Sequence, residues 1–93
     1  MCGMSDGYRW NEWNEDHIGR HGVSPAEAEY LVDHARPPFP EQIGDDKWRV
    51  RGQTAAGRYI QVIFVFDPDD TVYIMHARGL SDHEKRQLRR RQR

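Results

Sequence analysis

Eight residues near the middle of the chain restrict its fold more than any others. Tyr59-Ile60-Gln61-Val62-Ile63-Phe64-Val65-Phe66 is apolar at odd and even positions alike, apart from Gln61. A short run of that kind, bounded by turn residues, is a strand covered on both faces, so it belongs at the centre of a sheet. Its neighbours supply the rest of that sheet. Lys47-Trp48-Arg49-Val50-Arg51-Gly52-Gln53 alternates, with Trp48 and Val50 on one face and Lys47, Arg49 and Arg51 on the other, the pattern of a half-exposed strand. Thr54-Ala55-Ala56-Gly57 closes a hairpin, Gly57 supplying a positive φ. Asp67-Pro68-Asp69-Asp70 turns the chain back, and Thr71 to Arg78 reads as a third strand with Val72, Ile74, His76 and Arg78 on one side.

Before residue 47 the apolar spacing is helical instead. Asn11 or Asn14 caps a short helix with acids in its first turn, Arg20 and His21 in its last, and Gly22 as the residue that ends it. Ser24-Pro25-Ala26-Glu27 is a capping box with proline at the first helical position, and Val23 is placed to staple against Ala28. Pro37 and Pro38 stop that helix, and a loop with a few extended residues around Phe39 follows. Ser81-Asp82-His83-Glu84 is a second capping box and starts a C-terminal helix. The expected fold is therefore α+β: two short N-terminal helices, a three- to four-stranded antiparallel meander, and a basic C-terminal helix. Residues 1–9 are polar and expected to be disordered, with residues 10–93 forming one domain.

Charge is unevenly distributed. Residues 83–93 carry six of the fourteen Lys and Arg against one acid, +5, whereas residues 1–82 carry eight against fourteen acids, −6. A cationic segment on an acidic domain is a handle for a polyanion or an acidic partner. Cys2 is the single cysteine, so no internal disulfide forms. With no apolar run approaching the ~18 residues of a membrane span, a cytosolic chain without membrane contact is expected.

Several short motifs, in their order and spacing, resemble the BrnT family of bacterial toxins from type II toxin–antitoxin pairs. They are Arg20-His21-Gly22-Val23-Ser24 with Glu27-Ala28, Arg51-Gly52 and Gly57-Arg58 around the hairpin, Val62-Ile63-Phe64, and Tyr73-Ile74-Met75-His76-Ala77-Arg78 with Glu84-Lys85-Arg86. They extend over roughly residues 10–90. Arg20 stands where such chains often have lysine, Leu88 where many have tyrosine, and His17 where asparagine is expected. The resemblance implies a fold similar to the RelE ribonucleases and metal-independent cleavage of RNA. It also implies neutralisation by a cognate antitoxin, through which alone DNA is contacted.

Cleaving RNA without a metal needs positive donors on the phosphorane and acid–base help at two oxygens. Arginine suits the first role, because its planar fork donates to phosphate in pairs and stays charged. Arg51, Arg58 and Arg78 are the candidates for binding and stabilising phosphate, with His76 or His21 and Glu84 assisting. Arg49, Lys85, Arg86, Arg89 and Arg90 are the candidates for holding the RNA backbone. Glu84 equally fits a capping box with no catalytic duty, and His21 a helix C-terminus. The arginines must gather on one side of the sheet without each being claimed by a carboxylate. His17 and His21, at i and i+4, have chelating spacing, but the sequence offers no obvious third ligand, so neither metal nor cofactor is expected. The rival reading is a catalytically inactive relative that binds RNA or protein.

Overall fold

The apolar run takes the central place that its composition demands. The computed structural model describes residues 7–92, arranged as β1 (Tyr8–Arg9), α1 (Glu12–Gly19), α2 (Pro25–Asp33), β2 (Glu41–Gln42), β3 (Lys47–Gln53), β4 (Tyr59–Phe66), β5 (Val72–Gly79) and α3 (Asp82–Arg91). The sheet order is β1-β5-β4-β3-β2. β3, β4 and β5 form the expected antiparallel meander. Two additions make the sheet five-stranded and mixed: β2 pairs antiparallel with β3, and β1 pairs parallel with β5. A strictly antiparallel sheet of three or four strands is therefore not what forms. Both extra strands are two residues long, too short to leave a period in the sequence.

β1 also alters the expectation for the N-terminus. Tyr8 and Arg9 lie within the region expected to be disordered, yet side chains hold them in place. The Tyr8 hydroxyl donates to Asp33 at 2.6 Å, and Arg9 donates twice to Asp67, at 2.7 and 3.0 Å, while lying over the Tyr73 ring. Residues 1–6, Cys2 among them, lie outside the described residues.

Capping fixes where each helix begins. Asn11, Ser24 and Ser81 each accept from the backbone three residues on, and the residue at that third position answers with its side chain. The turn that follows α1 closes at Gly22, whose φ of 74° suits a residue without Cβ. Ile18, Val23, Ala28 and Leu31 from the helical half meet Val50, Ile60, Val62, Phe64, Ile74 and Ala77 from the sheet in one buried cluster. α2 lies over β3 and β4 on this face, close enough that a Cβ on Gly52 would meet Leu31 Cδ1 at 3.3 Å. α1 lies along β5.

One register shift corrects the reading of β5. Ile63 pairs with His76, but Phe64 pairs with Ile74, so Met75 is an additional residue, a β-bulge. Ile74 and Ala77, three residues apart, are both fully buried, whereas His76 and Arg78 pair with Ile63 and Gln61 on the other face. Val72, opposite Phe66, and Ile74 therefore do not share a side with His76 and Arg78. Among the described residues no helix is long and apolar enough to cross a membrane.

Candidate functional site

The face of the sheet opposite α2 carries two rows of side chains set by strand register. Arg51, Gln61 and Arg78 form one row across β3, β4 and β5; Arg49, Ile63 and His76 form the next. α3 covers this face, and its inward stripe at Glu84, Gln87, Leu88 and Arg91 is mostly polar. Glu84 receives the Arg78 fork at 2.8 Å on each carboxylate oxygen and Arg51 at 3.3 Å. It also accepts from the Ser81 backbone N–H at 2.8 Å. Arg51 Nε donates to Gln61 at 2.8 Å, which satisfies the one polar side chain buried within the central strand. Beyond β3, Glu41 receives Arg49 Nε and Arg91, each at 2.9 Å.

Between these groups lies a cleft of about 350 Å³ lined by Arg49, Arg51, Gln87, Arg90 and Arg91. With Arg78 beside it, five guanidiniums stand against the carboxylates of Glu41 and Glu84, a local excess of three positive charges. The crowding registers on Arg51, whose pKa is lowered first by burial and then by Arg49, with Glu84 opposing. It registers oppositely on Glu84, whose carboxyl is held far below the ordinary carboxylate range, first by hydrogen bonds from Arg78 and then from the Ser81 backbone. Glu84 is thus a fixed anion that positions two arginines, not a group poised to exchange protons. A wider depression of about 600 Å³ beside α1 is lined by Glu12, Trp13, Asp16 and Arg20, whose charges give no cationic excess.

The structure gathers Arg49, Arg51, Arg78 and Arg90 but not Arg58. That side chain points to the other face, where it donates to the carbonyls of Gly22 at 2.5 Å and His21 at 3.3 Å and faces Glu27. It pins the turn between α1 and α2. Lys85 and Arg89 lie over the Tyr59 ring at 5.8 and 5.6 Å from its centre, and Arg86 is exposed on α3. The condition that the arginines not each be claimed by a carboxylate fails for Arg49, Arg51, Arg78 and Arg91, which all have one. What survives is the excess of cations over the two acids that hold them.

His21 and His76, separately named from sequence, come together and bring His17 with them. Each pair of rings has centroids 5.2 to 5.9 Å apart, and His17 Nε2 lies 3.1 Å from His76 Nδ1. One ligand nitrogen from each ring lies within 4.8 Å of the others. Burial first, then the two neighbouring imidazoles and Arg78, lowers the His76 pKa and favours its neutral form. The third histidine was out of reach of sequence spacing, because 59 residues separate His17 from His76 and only the packing of α1 along β5 brings them together.

Two of the three tryptophans are occupied with packing. Trp10 donates to Glu29 at 2.7 Å, and both Trp10 and Trp48 lie against the core. Trp13 is 82% exposed on α1. No protein-family model, curated protein or solved structure matches this chain.

Proposed function

We propose that the chain is an RNA-directed toxin of the BrnT type, with a RelE-like fold, that cleaves RNA without a metal and is restrained by a cognate antitoxin. The observation that carries this reading is the cleft between β3 and α3, where four guanidiniums, with Arg78 joined to them through Glu84, exceed two carboxylates. A phosphodiester entering it meets donors already oriented by Glu41, Glu84 and Gln61, so little side-chain order remains to be imposed on binding. Arg51 and Arg78 are the phosphate-binding pair. His76, two residues from Arg78 on the same strand face, is the imidazole nearest to them along β5.

A second reading, an RNA- or protein-binding module without catalysis, is favoured by the carboxylate clamps on Arg51 and Arg78 and by the fixed charge of Glu84. The experiment that separates the two incubates purified protein with RNA in EDTA and also follows growth on expression. Scission with growth arrest supports the toxin; salt-sensitive binding without scission supports the module. Arg51→Gln and Arg78→Gln should each reduce RNA affinity about tenfold, the loss of one charge-assisted contact. Unchanged affinity in both variants would remove the cleft from the function.

A further inference from the structure

We infer that His17, His21 and His76 form a three-imidazole site for a divalent transition-metal ion of the zinc class. The argument starts from the chain. His17 and His21, at i and i+4, sit one turn apart on the same side of α1 and its continuation, where His21 N–H still bonds to the Ile18 carbonyl at 3.0 Å. α1 lies along β5, and the bulged strand presents His76 to both of them. All three nitrogens lie within 4.8 Å of one another, and the His17–His76 pair, at 3.1 Å, already stands near the donor separation of a tetrahedral ion. With Zn–N bonds of about 2.0–2.1 Å, its donors stand roughly 3.3 Å apart.

The chemistry also selects the metal. Imidazole suits zinc, nickel and copper, whereas calcium and magnesium need oxygen ligands. His17 and His21 are exposed, so solvent reaches the site and a fourth position is open to water or an anion. Arg78 is the nearest opposing charge along β5, and Glu84 neutralises it. Arg58 fixes the backbone of His21 through its carbonyl and so holds the ligand turn in place. Because α1 and β5 supply ligands far apart in sequence, binding would cross-link them and stabilise the folded state. This site does not rest on the RNA reading, whose phosphate-binding arginines are not ligands; the two share His76, and RNA cleavage is tested in EDTA, with the metal site empty.

The test uses the full chain with any affinity tag removed. Cobalt(II) titration should saturate at one ion per chain with the visible absorption of a tetrahedral site, zinc should displace it, and zinc should raise the melting temperature. Losing an outer-shell partner costs 10–100-fold in affinity, so His76→Ala should weaken binding at least ~100-fold. The wild-type chain gives a second measurement that does not depend on any variant folding. Zinc should move the ring nitrogen resonances of His17, His21 and His76 while leaving His34 and His83 in place, His34 being engaged with the Tyr30 carbonyl and ring. Absence of saturable binding, or equal perturbation of all five histidines, would overturn the site.

Discussion

Glu84 shows how much one side chain can hold in place. Its carboxylate caps α3, receives both arms of Arg78 and reaches Arg51, so three segments depend on its charge. Since the folded protein lowers its pKa below the ordinary 4.5, its contribution is fully present above that value and is lost as pH falls below it. Glu84→Gln keeps the shape and removes the charge, and should cost about 1–3 kcal/mol at neutral pH, the worth of hydrogen bonds to a charged group. The stability gap between wild type and variant should narrow on acidification below about pH 4.5, read from urea melts across pH. A gap constant with pH would mean that the clamp is not electrostatic. Gln61 belongs to the same story. In the sequence it stands out as the polar break in an apolar strand, but only the register reveals that it accepts from Arg51.

The helices were the most legible elements, because their signals are local. Asn11, Ser24 and Ser81 each cap where their composition says, and Gly22 and Gly57 take the positive φ that their positions require. Ser24→Ala should therefore cost about 1 kcal/mol, measured by chemical denaturation, with the sheet unchanged. What the sequence hid is non-local. β1 and β2 are too short to show a period, and they exist because Arg9 finds Asp67 and Glu41 finds Arg49 and Arg91. The basic C-terminal helix was visible as a charge run. Its division of labour was not: Arg91 closes an ion pair, Arg90 lines the cleft, and Arg89 lies over Tyr59. α3 sits on the sheet chiefly through ions, since Leu88 is its one buried residue.

For the molecule as a whole, the candidate chemistry is confined to one face of the sheet and to the β5 border. The opposite face is spent on the core formed with α1 and α2. The cationic excess of three on the exposed side makes a quantitative forecast for RNA. With about −0.7 per neutralised phosphate on a single strand, log affinity should fall against log salt with a slope of about −2. A slope near zero, measured by fluorescence anisotropy, would mean that the cleft holds no phosphates. Of the groups named from sequence, the arginines of β3 and β5 converge because alternation was read correctly for β3. The reading of β5 failed at Val72 and Ile74, because alternation counts every residue and one of them does not pair.

That surplus residue has a consequence of its own. Were Met75 deleted, Ile74 would still oppose Phe64 and His76 would still oppose Ile63, so the ladder would heal with every inside and outside assignment preserved. What should go is the bend and added twist that an unmatched residue forces on its strand, so the His76 ring should shift against the two imidazoles it now meets. A chain one residue shorter should keep its architecture while its three imidazoles move apart.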